Sequence, residues 1–311
     1  MRDDLSACSP SSSAALRWGV LARGIALDAR IGAWASSRPI THFAYEFVRF
    51  GVKQAWACLF GALMLGLLIA THFAYPKVAP LARYDFLTLA AVAIQLAMLR
   101  FKLETREEAG VIALFHAVGT VMEIFKIHVG SWAYPESSIL RIAGVPLFTG
   151  FMYASIGSYI ARCWRLFDFR FTFHPPLRVL GLLAFAIYVN FFTHHYVWDF
   201  RPVLFAATAV LFARCWVYFK VWRVHRRMPL LVGFGLVALF IWFAENIGTF
   251  TAAWVYPTQR AAWHMLSLGK LGAWFLLMII SYALVAALHG VEAYEQGVPD
   301  ATSTATTAPP A

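Results

Sequence analysis

The chain has 311 residues, 60% of them apolar and only 14% charged. A water-soluble domain carries about a quarter charged residues, so much of this surface must face lipid, and the length allows several spans of about 20 residues each. The net charge of +10 is not gathered in one basic stripe; Lys and Arg sit in short segments between apolar runs, which argues against nucleic acid and for orientation signals beside membrane spans.

The first 16 residues are rich in Ser and Ala and contain Asp3 and Asp4. They lack the apolar stretch of a cleavable signal peptide. Within a leader covering 1–52, residues 17–50 space Arg17, Arg23 and Arg30 among apolar residues, the pattern of an amphipathic helix lying on the cytoplasmic face. Eight apolar runs follow, near 54–73, 85–101, 108–127, 143–163, 177–194, 201–219, 228–249 and 269–290. In lipid each must be helical, because its backbone groups can be satisfied only within the segment. The tail 291–311 is rich in Thr, Ala and Pro from Gln296 onward and is expected to be disordered. Lys and Arg divide 19 to 7 between the two sides of the spans, which accounts for all 26. That bias places both termini in the cytoplasm.

One polar pattern occurs twice. Glu123, Trp132 and Tyr134-Pro135 have the same spacing as Glu245, Trp254 and Tyr256-Pro257, 122 residues later. Thr71-His72 matches Thr193-His194 at the same offset, and Ser158-Tyr159 matches Ser281-Tyr282 at 123. The expected fold is therefore an all-α polytopic bundle of eight transmembrane helices, in two parallel four-helix repeats at 53–170 and 171–290. An even number of spans per unit gives both repeats the same orientation.

The same order gathers polar residues at one end of the bundle. An ionisable residue inside a span is costly and usually turned inward and paired. Lys126, three residues after Glu123, predicts an internal ion pair. His116 lies two turns before Glu123 on nearly the same face and is its deepest candidate partner. Asn246, Thr249 and a histidine from another helix, with His194 the pseudo-equivalent partner, are candidates to serve Glu245; His195 and Asp199 stand close by in sequence, and Asp85, His264 and Lys270 approach from adjoining segments. At the positions matching His116, Lys126 and His128, the second half has Ala238, Gly248 and Phe250. The first half thus keeps the richer set. Trp132, Tyr134, Trp254 and Tyr256 suit either an interfacial belt or a pocket whose aromatic faces hold a cationic intermediate.

Two Glu and two His from a duplicated bundle could hold zinc or iron, but HExxH, HxxxH and Glu-x-x-His are absent, so no metal is assigned. The four cysteines, Cys8, Cys58, Cys163 and Cys215, have no metal-ligand spacing. No nucleotide-binding or nucleophile-elbow signature occurs, and no cofactor follows from the residues.

FHAVGTVMEIFKIHVGSWAYPE, GVPLFTGFMYASIGSYIARCW and FAENIGTFTAAWVYP resemble the YoaT-like family of bacterial multi-pass membrane proteins of unknown function, over about residues 45–290. That resemblance implies a bacterial inner membrane. A shorter pattern, Glu123, Gly130, Trp132, Tyr134 and Gly144-Val145-Pro146-Leu147, is similar to the bisanhydrobacterioruberin hydratases and small lycopene cyclases. The cyclases' paired acidic residues are replaced here by Phe148-Thr149.

Three roles fit these residues. The first is an intramembrane acid–base enzyme on a lipid-soluble, isoprenoid-like substrate. In it Glu123 is the acid or base, His116 and Lys126 tune it, Glu245 and His194 form the second pair, and Trp132, Tyr134, Trp254, Tyr256 and Asn246 line the site. The second is a transporter or proton-coupled carrier, and the third a non-catalytic membrane partner. The half of the bundle facing the cytoplasm looks sparse in ionisable groups, which weighs toward the enzyme. All three have the lipid bilayer as their surroundings.

Overall fold

The structure is a computed structural model describing residues 30–35, 38–76 and 78–294. The leader before residue 30, with Arg17 and Arg23, and the tail after residue 294 lie outside the described residues. The chain forms two compact units that divide at Val52. Helix α1 (Pro39–Ala57) starts in the first, with Thr41 Oγ1 donating to the carbonyls of Ala35 (2.7 Å) and Arg38 (2.9 Å). Ile40, Phe43 and Phe47 are exposed on α1, at the three- and four-residue spacing that forms one helix face.

The second unit runs α2 (Leu59–Ala74), α3 (Arg83–Arg100), α4 (Arg106–His128), a hairpin of β1 (Arg141–Ile142) and β2 (Val145–Pro146), α5 (Phe148–Phe167), β3 (Arg170–Thr172), α6 (Leu177–Thr193), α7 (Arg201–Phe212), β4 (Trp216–Lys220), β5 (His225–Pro229), α8 (Leu230–Phe250) and α9 (Leu268–His289). Three of these helices, α4, α8 and α9, are long and apolar enough to cross a membrane, and a fourth span results if the bent pair α1 and α2 is one broken span. α6 and α7 are shorter apolar helices. The protein is thus mostly helical and membrane-associated.

α4 shows how the sequence sets an element. Thr105 caps it: its Oγ1 accepts from Glu108 N (3.1 Å), and Glu108 Oε2 accepts from Thr105 N (2.9 Å), a reciprocal capping box. α4 packs along α5, α8 along α9, and α9 also against α5 and α6. The main core lies among α4 to α9 and includes Phe115, Ala154, Leu180, Phe212, Phe234, Ile279 and Tyr282.

Three expectations need correction. The apolar run 201–219 is not one helix. α7 has 12 residues and reaches only about 18 Å, short of a hydrocarbon layer of about 30 Å. Beyond Cys215 the aromatic and β-branched run Trp216-Val-Tyr-Phe, a strand-favouring composition, becomes the central strand of an antiparallel sheet ordered β3-β4-β5. The start of the tail is also ordered. Phe171 N donates to Glu292 O and Tyr294 N to Phe171 O, both at 2.9 Å, and the Tyr294 ring stacks on Tyr218 at 3.8 Å.

The half of the bundle expected to be sparse in ionisable groups holds a buried pair. Arg162 Nη2 lies 3.3 Å from Glu104 Oε1, with both side chains fully buried. Ser158 Oγ donates to the same oxygen at 3.1 Å, and Arg162 Nη1 donates to Trp56 O at 3.2 Å. The apolar periodicity of α5 conceals this arginine, which is paired from the α3–α4 connection.

Candidate functional site

α4 and α8 end in the same turn. After the cap residues Val129 and Thr251 come Gly130 at φ 72° and Ala252 at φ 52°. Ser131 N donates to Lys126 O (2.9 Å) and Gly130 N to Ile127 O (3.1 Å); Ala253 N donates to Gly248 O (3.0 Å) and Ala252 N to Thr249 O (3.1 Å). This is the Schellman closure, and it turns the chain back past the last turns of its own helix. An L side chain in the left-handed region costs about 1–2 kcal/mol. Ala252→Gly is therefore expected to raise stability by about 1 kcal/mol. Thermal melting of the detergent-solubilised protein measures this; an unchanged or lower midpoint contradicts it.

The returning chain is extended, so side chains alternate and residues two apart share a side. That is the reason for the Trp-x-Tyr spacing. The proline that follows holds the preceding tyrosine in the extended region, as at Tyr256 (φ −78°, ψ 151°). Between the aromatics lie Ala133 and Val255. Ala133 N donates to Val255 O (3.0 Å) and Val255 N to Ala133 O (2.9 Å), forming an antiparallel bridge. Residues at matching places in the two segments thus bond each other reciprocally, the pattern of a two-fold contact.

This geometry turns both carboxylates inward, 4% exposed each, among neutral donors. Glu123 Oε2 accepts from Trp132 Nε1 (2.7 Å) and from the Tyr134 hydroxyl, and Oε1 accepts from the Tyr153 hydroxyl (2.7 Å). Glu245 Oε1 accepts from the Tyr256 hydroxyl and Oε2 from Trp274 Nε1. Burial, followed by the adjacent carboxylate, pushes the Tyr134 and Tyr256 phenols well above their ordinary pKa, so both remain protonated donors. The two clusters touch: Trp132 meets Tyr256 with ring centroids 5.7 Å apart, and Tyr153 meets Trp274 at 6.2 Å. Lys270 Nζ lies 3.8 Å from the Tyr256 ring and 5.4 Å from the Trp132 ring, a cation over two aromatic faces.

One of the matched positions at which the segments differ sets how their tryptophans pack. Lys126 stands in the first where Gly248 stands in the second. Without a Cβ at 248, the Trp254 ring drops onto the helix; an added Cβ would lie 2.1 Å from its Cη2. Trp254 therefore packs where Trp132 cannot, and α9 supplies Trp274 to Glu245 instead. Gly248→Ala must displace the Trp254 ring and is expected to cost about 1–3 kcal/mol, read as a lowered melting midpoint. A midpoint at the wild-type value contradicts this close packing.

The structure thus gathers Glu123, Trp132, Tyr134, Glu245 and Tyr256, with Trp254 packed beside them. Other expected members point elsewhere. Lys126 forms no ion pair with Glu123: its Nζ donates to Phe191 O (2.9 Å) and lies 2.7 Å from His195 Nε2, because the Glu123 oxygens are already occupied. The His116 ring packs on Phe151 at 4.5 Å, and among the described residues its buried Nδ1 has no hydrogen-bond partner. His194 is held by Asn190 O (2.9 Å), and its ring lies tilted against that of His195. Asn246 serves the backbone, donating to Trp242 O (2.8 Å) and accepting from Leu266 N (2.9 Å). Asp85 accepts from Ile139 N and Leu140 N, and His264 bonds loop carbonyls. Tyr153 and Trp274 are members that the sequence reading does not contain. Each donates to a glutamate about 30 residues earlier in the chain, and that shared interval is the signal that could have found them. Among the described residues no three His, Cys, Asp or Glu side chains gather as a metal would require.

An apolar groove of about 650 Å3 runs along α4 and the end of α6, lined by Val121, Ile124, Phe125, His128 and Phe192, among others.

Comparison with known proteins agrees with the extent of this region. A family described as "Protein of unknown function (DUF817)" matches residues 46–282, a stretch containing both carboxylates and all their donors. The "Uncharacterized protein YoaT" of Bacillus subtilis (strain 168) is 44% identical over 247 residues, covering 79% of this chain and 93% of that protein. No solved structure matches the chain. The chain therefore belongs to the DUF817 family.

Proposed function

We propose that this chain is a multi-pass protein of the bacterial inner membrane with both termini cytoplasmic, built from two parallel four-helix repeats, and that it works as a proton-coupled carrier. The observation that carries this reading is the joining of two buried carboxylates, Glu123 and Glu245, through the reciprocal Ala133–Val255 bonds. Helix starts support the duplication: α2 and α6 begin 118 residues apart, α3 and α7 also 118, α4 and α8 124, and α5 and α9 120. A carrier needs a closure between its halves that a proton can weaken. A proton on Glu123 converts an acceptor-only group into one that must also donate, and three donors converge on it. The buried Glu104–Arg162 pair toward the opposite end removes the argument that ionisable groups serve one end alone.

An intramembrane acid–base enzyme is the second reading. The apolar groove beside His128 favours it, as the site for an isoprenoid-like substrate. Against Glu123 as its acid, the three donors that converge on it, Trp132, Tyr134 and Tyr153, stand between the carboxylate and any substrate carbon.

The test is mass spectrometry of lipid extracts and small solutes from cells lacking the chain, with wild-type complementation. The carrier reading expects altered solute content and uptake with unchanged lipids. Altered isoprenoid lipids with unchanged solutes overturn it in favour of the enzyme. No change in either overturns both and leaves a non-catalytic partner.

A further inference from the structure

The strongest feature outside the carboxylate clasp is a buried cation without a counter-ion. Lys126 is 3% exposed, near the end of α4. Among the described residues no carboxylate lies within ion-pair distance of it. Its neighbours are the Phe191 carbonyl, His195 Nε2 and the Phe191 ring, 4.0 Å from Nζ. A buried charge left uncompensated is strongly unfavourable, so a missing anion is the natural complement.

Two further observations define that anion. Basic side chains surround the place. The His194 and His195 rings lie tilted with centroids 4.1 Å apart, and burial, followed by the charges of Lys126, His194 and Arg201, holds the His195 pKa below its ordinary value. Among the described residues the carboxylate there, Asp199, is already taken by Arg201 at 2.6 Å. The cluster also adjoins the apolar groove, because Phe125 lines the groove while its ring lies 4.7 Å from Phe192 and 6.0 Å from His195. Beyond the histidines, Tyr196, Val197, Trp198 and Phe200 are exposed. Aromatic side chains left in the open at a helix end mark headgroup depth.

We propose that this corner binds an anionic phospholipid, with its phosphate at Lys126 and His195 and one acyl chain in the groove along α4. The apolar groove alone names no occupant. The uncompensated Lys126 does, since it demands negative charge where the groove demands a chain. This site is separate from the clasp, and the proposal does not depend on the carrier reading.

The test uses the full-length protein purified in detergent, delipidated, and supplied with phosphatidylglycerol, phosphatidylcholine of the same chains, diacylglycerol, or inorganic phosphate. Native mass spectrometry counts retained lipid and thermal melting reads stabilisation. Phosphatidylglycerol is expected to be retained and to raise the melting midpoint, with at least a tenfold preference over the other two lipids. Lys126→Gln should reduce phosphatidylglycerol retention about tenfold. Phe192→Ala, which widens the groove without altering Lys126 or His195, should weaken lipid retention while sparing any effect of phosphate. Equal retention of the three lipids overturns the proposal. So does stabilisation by inorganic phosphate equal to that by lipid, which makes the corner a simple anion site. Wild-type retention in a folded Lys126→Gln overturns it as well. If that variant fails to fold, His195→Gln takes its place: reduced retention supports the proposal and wild-type retention overturns it.

Discussion

Glu123→Ala is expected to lower stability by about 3–5 kcal/mol, more than any other single replacement in the clasp. The carboxylate is the shared acceptor of the Trp132 indole and the Tyr134 and Tyr153 hydroxyls. Removing it orphans three donors at once, and each orphaned buried donor costs about 1–3 kcal/mol. Hydroxyls can rotate toward carbonyls and recover part of this; the Trp132 N–H cannot turn independently of its ring. Glu245→Ala orphans two donors and is expected to cost less. Glu123→Gln retains one acceptor oxygen and should fall between Glu123→Ala and wild type, because its amide group faces a hydroxyl that can reverse its role. Melting of the three variants in one detergent orders them. Equal midpoints for Glu123→Ala and Glu245→Ala, or a wild-type midpoint for Glu123→Ala, contradict this account of the cluster.

The clasp is more legible in the sequence than the rest of the site. Glu-x8-Trp-x-Tyr-Pro states a helix, a reversal and an extended return, and Gly130 marks the reversal by its left-handed backbone. The second reversal carries Ala252, so composition hides it and only the offset of 122 residues reveals it. Spacing alone points Lys126 to Glu123, because three residues on a helix bring it within reach. Reach does not decide a partner when the carboxylate already accepts three hydrogen bonds. Asn246 and His194 depart from expectation for a related reason: backbone groups lie nearer to them than a carboxylate does, Trp242 O and Leu266 N for Asn246 and Asn190 O for His194. The sheet is hidden because Trp216-Val-Tyr-Phe is apolar enough to pass for the end of a span. Its strand character depends on partners at 170–172 and 225–229 that lie on either side of it in the chain.

The Ala133→Cys, Val255→Cys pair is expected to close into a disulfide, in a background with Cys8, Cys58, Cys163 and Cys215 replaced by Ser. Ala133 and Val255 exchange both backbone hydrogen bonds, and Cα atoms of such an antiparallel pair lie about 5.5 Å apart, within the range a disulfide spans. The bond would close a loop from 133 to 255, which by chain entropy stabilises the fold by about 5 kcal/mol. The oxidised protein should therefore melt well above the reduced one and migrate faster on a non-reducing gel. Failure to cross-link under mild oxidant contradicts the pairing itself. Function then separates the readings. A carrier must part the two segments in each cycle, so oxidation should stop solute flux in reconstituted vesicles and reductant should restore it. An enzyme whose substrate enters from lipid along α4 has no need to part them and should work unchanged when locked. Flux that persists in a fully cross-linked protein removes the Ala133–Val255 contact from any gating role and leaves the clasp as a fixed joint between two halves of the bundle.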